Sequence, residues 1–265
     1  MLAAMKGIVL AGGLGTRLSP LTKVASKQLL PVYDKPLIYY PISTLMLANI
    51  RDILIIASPS QINKFFDLLG EGAELGLKIS YKVQETPSGI AESLILGEKF
   101  LDGSKSALIL GDNLFHGPGL GRRLESFNNV VGAQIFGYNV QDPRPYGVAT
   151  VNKMGIVTEL IEKPEKSQSN VAIPGLYFFD ESSSSRAKDL KPSARGELEI
   201  IDLLRSYLIN SELNLEMLPR GTAWFDSGTF EDLHEAGTYV KLMQERTGER
   251  VGDPFEISRF RGWSK

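Results

Sequence analysis

The feature that most limits what this chain can fold into is a rhythm. Short β-branched runs at Gly7–Leu10, Asp52–Ala57, Lys78–Val83, Ser106–Leu110 and Ala133–Tyr138 alternate with Pro36–Asn49, Ser60–Leu69, Gly89–Phe100 and Gly119–Phe127, which carry apolar residues at three- and four-residue spacing. The first set reads as buried strands and the second as helices. Strand, helix, strand at this interval joins parallel neighbours, so the pattern predicts an α/β sheet covered by helices on both faces. Beyond Gln141 the texture changes. Gly147–Val151, Ile156–Glu162 and Ile173–Phe179 read as strands with few helices between them, extending the sheet. Ser182–Ser185 reads as a helix start or a surface stretch. No repeat, linker or charge block marks a boundary, so one continuous domain is expected.

Composition excludes several kinds of function. The chain of 265 residues balances 29 Lys and Arg against 31 Asp and Glu, a net charge of −2. No global field is available to hold a nucleic acid or an anionic membrane. With 0 cysteines and 2 histidines, disulfides, thiolate zinc sites, thiol nucleophiles and His-rich metal centres are excluded or disfavoured. No apolar run approaches the ~18 residues of a membrane helix, and the stretch after Met1–Lys6 is too short for a signal peptide. A cytoplasmic protein is expected.

Open parallel sheets bind ligands beyond the carboxyl ends of their strands, which directs attention to residues just after strands. Leu10 leads into Ala11-Gly12-Gly13-Leu14-Gly15-Thr16-Arg17, three glycines and a cation. Glycines let backbone N–H groups close on an anion, and Arg17 tips the loop from a plain turn toward phosphate binding. No Gly-Lys-Ser/Thr follows, and Leu18 stands where a dinucleotide loop has its third glycine, so neither of those motifs is present. Lys27, ten residues on, is either a phosphate partner or a solvated side chain.

Asp112 follows the strand Ser106–Leu110, and Asp226 follows Ala223-Trp224-Phe225. Magnesium commonly takes one or two carboxylates together with water and substrate phosphate. Two strand-end acids suit that site, although Asp also makes turns and caps helices. Tyr146-Gly147 opens a strand, Glu162-Lys163-Pro164 closes one, and Arg195-Gly196-Glu197 precedes an apparent helix. A phosphorylated sugar needs hydrogen-bond partners for its hydroxyls and cations for its phosphate, which Glu162, Lys163 and Arg195 can supply. Trp224 reads equally as a core aromatic or a substrate-shaping one.

The segments AGGLGTRL, SKQLLPVYDKPLIYYPISTLMLANIRDILI, LGDNLF, YGVATV, EKP, LKPSARGELEI and WFDSGT, in this order from Met5 to about Glu249, resemble the sugar-1-phosphate nucleotidyltransferases, most closely those that transfer a thymidylyl group to glucose 1-phosphate. The resemblance implies a Rossmann-like three-layer α/β/α fold with a mixed, mostly parallel central sheet. It implies one nucleotidyltransferase domain over 1–250, with a nucleotide half at about 5–140, a sugar half at about 141–230, and a short tail at 251–265. The implied partners are dTTP and glucose 1-phosphate, the implied cofactor is Mg²⁺, and the implied products are dTDP-glucose, a precursor of dTDP-rhamnose, and pyrophosphate. A uridylyltransferase using UTP, or a non-catalytic sugar-phosphate sensor on the same fold, is the alternative.

Carried over by motif, the resemblance assigns catalysis to Arg17, Lys27, Asp112 and Asp226, the two aspartates holding the metal. It assigns the nucleotide to Leu10, Gly12, Gly13, Gly15, Thr16, Arg17, Gln28, Gln84 and Gly89. The sugar phosphate falls to Asn113, Tyr146, Gly147, Glu162, Lys163, Arg195 and Trp224. Leu14, Glu92 and Pro145 depart from the usual pattern. The resemblance also implies a homo-oligomer, a tetramer or a dimer. Because the tail is short, feedback by a dTDP-deoxysugar is expected to be weak.

Overall fold

A computed structural model of the protein describes residues 4–13 and 15–264; Leu14 and the expectation attached to it lie outside the described residues. The chain divides into two compact units that interleave along the sequence. One comprises Lys6–Pro87, Ile109–Ser126 and Gly221–Lys265, the other Met1–Met5, Ser88–Leu108 and Phe127–Arg220.

The first unit is built on parallel strands Lys6–Ala11, Asp52–Ala57 and Lys78–Val83, with Val9 opposite Ile55 and Leu54 opposite Ser80. Ile8, Val9, Ile53, Ile55 and Ile56 are all buried, as a strand covered on both faces requires. A Cβ at Gly7 would sit 2.7 Å from Leu45 Cδ1, so the helix packs closely on the strand there. That helix, Tyr39–Leu47, is buried from Tyr40 to Met46. It is shorter than the expected Pro36–Asn49. Lys35–Pro36 pairs instead with Pro31–Val32 in a hairpin, and Asn49 adopts φ 62, the left-handed conformation that ends helices. Ser60–Leu69 contracts to Ile62–Leu69 and Gly119–Phe127 to Leu120–Glu125. The segment 251–265, expected as a short tail, contains the helix Pro254–Phe260, capped by Asp253 through Phe255 N and Glu256 N. It docks through Arg261, which donates to Glu125 and to Leu47 O, and it walls a surface cavity of about 520 Å³ together with Leu47 and Arg122.

The second unit is centred on the strand Ala133–Asn139. Leu176–Phe179 pairs with it antiparallel and Leu213–Met217 parallel, while Val171–Ala172 links it to Gly147–Val151. Gly147–Val151 in turn pairs antiparallel with Val157–Glu162. Ile173–Phe179, read as one strand, contracts to Leu176–Phe179, and the short strand Val171–Ala172 lies ahead of it. Gly89–Phe100, read as one helix, is also two, Glu92–Leu96 and Glu98–Leu101, divided at Gly97. Gly89 itself, at φ +107, cannot be helical. Ser182 flanks the helix Ser183–Lys188, in which Ser183 and Ser184 are buried. Ile200–Ile209 follows the Arg195 loop as a helix. Among the described residues no helix is long and apolar enough to cross a membrane.

Candidate active site

In the first unit the two aspartates are brought together by a short ribbon. Leu114–His116 and Ala223–Phe225 pair antiparallel, with Phe225 opposite Leu114 and Trp224 opposite Phe115. One step further in that register sets Asp226 beside Asn113 and next to Asp112. The ribbon closes tightly: a side chain at Gly117 would stand 2.9 Å from Thr222 Cα. Gly111 is pinned from the other side, donating its N–H to Leu10 O at 2.8 Å, which attaches this corner to the end of the first strand.

Around the ribbon the polar groups are tied in sequence. Lys27, 6% exposed, donates to Asp112 Oδ2 at 2.7 Å and to Asp226 O at 3.1 Å. Asn113 Nδ2 donates to Asp112 Oδ1 at 2.8 Å, and Trp224 Nε1 donates to Asn113 Oδ1 at 2.7 Å. Asp226 is not the exposed strand-end acid its position implies. Burial, then the Asp112 and Asp232 carboxylates, hold it above the ordinary carboxylate range, against the opposing pull of Lys27. Next to Asp226, Ser227 is held at φ 45 with its buried hydroxyl unpartnered, a local strain of the kind that collects at functional sites.

The glycine loop borders this cluster. Gly12 is crowded by Gln84, whose Oε1 would lie 2.2 Å from an added Cβ, and Gly15 adopts φ +59 with its carbonyl accepting from Thr22 Oγ1 at 2.9 Å. Gly13 and Thr16 are exposed. Leu18, in the position that excluded a dinucleotide loop, is fully buried and anchors the turn Thr16–Leu18 in the core. Arg17 is exposed, and its guanidinium nitrogens lie within 3.5 Å of the Cβ position at Gly228, as does Asp226 Oδ1. An exposed cation and a carboxylate therefore flank one glycine. Gln28 is buried and accepts from Ser26 Oγ.

In the second unit the register does the same work. Glu162 stands opposite Gly147 in the strand pair, and Lys163 N donates to Tyr146 O at 3.0 Å, so the four residues form one patch. Gly147 is crowded by the following helix, where a Cβ would meet Ile201 Cδ1 at 2.8 Å. Lys163, at φ 42, pairs with Glu162 at 3.3 Å, and Arg195 reaches Glu162 at 3.4 Å. The stronger partner of Arg195 is Glu199, whose oxygens accept from its Nη2 at 2.8 and 2.9 Å and from its Nε at 3.1 Å. Burial disfavours the guanidinium charge, but Glu199, Glu197 and Glu162 together raise its pKa above the ordinary value. Lys163 and Arg195, the cations expected to serve the sugar phosphate, are thus each paired with carboxylates.

The family model described as nucleotidyl transferase matches residues 6–241 of the chain. The chain belongs to this family. This nucleotidyl transferase is 54% identical over 259 residues to the glucose-1-phosphate thymidylyltransferase of Xanthomonas campestris pv. campestris strain B100, covering 97% of this chain and 88% of the relative. A crystal structure of a provisionally named glucose-1-phosphate thymidylyltransferase from Bacillus anthracis, in complex with a sucrose, superposes with a TM-score of 0.85 at 38% identity, over 96% of this chain and 99% of that one. A UDP-glucose pyrophosphorylase solved with UDP-glucose shares the fold at a TM-score of 0.80 and 24% identity, over 92% and 100% of the two chains. The mixed α/β sheet expected from the motifs is the fold of these nucleotidyl transferases.

Arg17, Lys27, Asp112, Asn113, Trp224 and Asp226 fall in the first unit with Leu10, the glycine loop, Gln28 and Gln84; Tyr146, Gly147, Glu162, Lys163 and Arg195 fall in the second, with Gly89. The division at about residue 140 is therefore not where the contacts divide the chain. The chain passes between units at 5/6, 87/88, 108/109, 126/127 and 220/221, which moves Gly89 one way and Trp224 and Asp226 the other. Glu199 and Ser227 were not among the expected residues. Glu199 is four residues after Arg195, but both precede the helix Ile200–Ile209, so the spacing carries no helical pairing signal; nothing local signals an orphaned hydroxyl either.

Proposed function

We propose that the protein transfers the thymidylyl group of dTTP to glucose 1-phosphate, giving dTDP-glucose and pyrophosphate. The observation that carries this reading is the cluster of Lys27, Asp112 and Asp226 at the ends of the ribbon, beside a glycine loop whose Arg17 is exposed. The thymidylyl specificity follows that of the 54%-identical relative. In the reaction an oxygen of the sugar phosphate attacks the α-phosphorus, the bond to the β-phosphate oxygen breaks, and pyrophosphate departs with those electrons, with no covalent enzyme intermediate.

The barrier is largely electrostatic. Two unit anions ~4 Å apart repel by about 4 kcal/mol at an effective dielectric near 20, and the approach of two phosphorylated substrates multiplies such pairs. Catalysis is accordingly positioning and charge neutralisation. Arg17 serves the triphosphate and the leaving pyrophosphate. Lys27 has three ammonium protons and spends two on Asp112 and Asp226 O, leaving one for an α-phosphate oxygen as charge builds there. Glu162 and Gly147 take the sugar hydroxyls, with Lys163 and Arg195 toward the sugar phosphate.

Asp112 and Asp226 fit a magnesium ion. They are close enough for Asp112 to raise the pKa of Asp226, a repulsion that a divalent cation relieves. Among the described residues no group of three or more acidic or histidine ligands forms, which suits an ion completing its shell from water and phosphate. Bound there, Mg²⁺ supplies Lewis-acid neutralisation of the phosphate charge. A homo-oligomeric, cytoplasmic enzyme feeding dTDP-rhamnose synthesis belongs to the same reading, and light scattering of the purified protein tests the assembly. The deciding assay is pyrophosphate release across a matrix of dTTP, UTP and other nucleoside triphosphates with hexose 1-phosphates. The highest kcat/KM is expected for dTTP with glucose 1-phosphate, and a higher value for UTP would overturn the specificity.

A further inference from the structure

Three hydrogen bonds run in series through the aspartate site, from Trp224 to Asn113 to Asp112, with Lys27 at the far end. The order of atoms is dictated by chemistry. An indole N–H can only donate, so the Asn113 atom facing Trp224 is the carbonyl oxygen, and the NH₂ group is thereby turned to Asp112, which as a carboxylate can only accept. Asn113 is 1% exposed, so this orientation is not traded against water. The ribbon supplies the reach: Trp224 pairs with Phe115, two residues beyond Asn113, and a large side chain spans such a diagonal.

We propose that Asn113 is a positioning residue, anchored by Trp224, that fixes the rotation of the Asp112 carboxylate toward a divalent cation; this rests on the metal-dependent reading above. With Lys27 alone, Asp112 would pivot about a single bond to Oδ2. With Asn113 on Oδ1 at 2.8 Å, both oxygens are pinned and the plane of the carboxylate is set. Magnesium demands near-ideal ligand geometry, so a wandering carboxylate loses affinity even when its charge is intact. Partners of metal ligands typically contribute about 10- to 100-fold in metal affinity. Trp224 then has a role other than core packing or substrate shaping, because its indole proton decides which way Asn113 faces.

The test uses Mn²⁺ as a paramagnetic probe, titrated into the substrate-free protein while the free hexaaquo ion is followed by EPR. Trp224→Phe keeps a ring and removes the proton, and Asn113→Ala removes the amide. Each is expected to weaken Mn²⁺ binding by about tenfold. The double variant is expected to be no weaker than Asn113→Ala, since both act through one carboxylate. Wild-type Mn²⁺ affinity in Trp224→Phe, or losses that multiply in the double variant, would overturn the proposal. Should Asn113→Ala fail to fold, Trp224→Phe decides alone. A second readout separates the roles: the Mg²⁺ concentration for half-maximal rate should rise in Trp224→Phe while the KM for glucose 1-phosphate stays, and the reverse makes Asn113 a sugar ligand only. Asp112→Asn isolates the underlying reading. If it binds Mn²⁺ as wild type does, the metal site itself is wrong and the positioning role falls with it; if it loses Mn²⁺ while Trp224→Phe does not, only the positioning role falls.

Discussion

Replacing Lys27 by methionine tests the site through two quantities that a packing role and a chemical role predict differently. Methionine fills nearly the same volume, so packing alone foresees little change. The ion pair foresees a cost. At the 2.7 Å separation of Lys27 Nζ and Asp112 Oδ2, Coulomb attraction at an effective dielectric near 20 is about 6 kcal/mol, most of it offset by the desolvation of both charges. Deleting one partner of a fully buried pair costs about 3–5 kcal/mol because the other is stranded. The Asp112 side chain is 26% exposed, so water takes up part of its charge, and a loss of about 2 kcal/mol is expected. For a chain of this length that lowers Tm by about 4 °C. Turnover should fall further, by about 10²–10³, the usual cost of removing one donor to developing charge, with the KM for dTTP little changed. Differential scanning calorimetry in metal-free buffer and initial-rate pyrophosphate release measure the two. A Lys27→Met protein with wild-type Tm whose only defect is a raised KM would refute both the pair and the transition-state role.

The raised pKa of Asp226 makes its ionised form a burden on the fold, absent at acid pH and growing as pH rises through that pKa, so Asp226→Asn should melt higher than wild type at pH 7 without metal, converge with it toward pH 4, and be nearly inactive; a variant melting lower at pH 7 contradicts the burial argument. Gly12→Ala drives a Cβ onto Gln84 Oε1, a side-chain end that can yield, so the fold should persist while the KM for dTTP rises several-fold and that for glucose 1-phosphate does not. Gly89→Ala combines φ +107 with a Cβ 2.4 Å from Leu198 O, and a loss of about 3 kcal/mol is expected in denaturant unfolding; a near-neutral result would mean the 89–91 segment moves freely away from Leu198.

Legibility in the sequence followed the length of each pattern. Asp52–Ala57, Ser106–Leu110 and Gly147–Val151 are readable to the residue because four or five consecutive β-branched or apolar positions outvote their neighbours, and Lys78–Val83 because Ile79, Tyr81 and Val83 alternate with polar residues. Leu114–His116 and Ala223–Phe225 are three residues each, too short to show a period, although they assemble the aspartate pair. Their partnership is a matter of register between segments far apart in sequence. The helix Phe230–Thr247 advertises itself through a Thr229–Asp232 capping box, but its mixed surface dilutes the apolar stripe. The charged site residues were found through motif resemblance, whereas their partners were not. That Arg195 would be gripped by Glu199, and that Asp226 would be desolvated, depends on burial, which a string of residues does not display.

The ribbon also sets when the enzyme comes into being. Asn113 and Trp224 are 111 residues apart, so on a ribosome adding ~5–20 residues per second the second strand emerges roughly 6–22 s after the first. During that interval Lys27 and Asp112 already exist and are free to pair, but the strand bearing Asp226 does not. The nascent chain thus carries its nucleotide loop and half of its acid pair without the other half, and competence to handle a charged substrate arrives late, with the C-terminal fifth of the polypeptide.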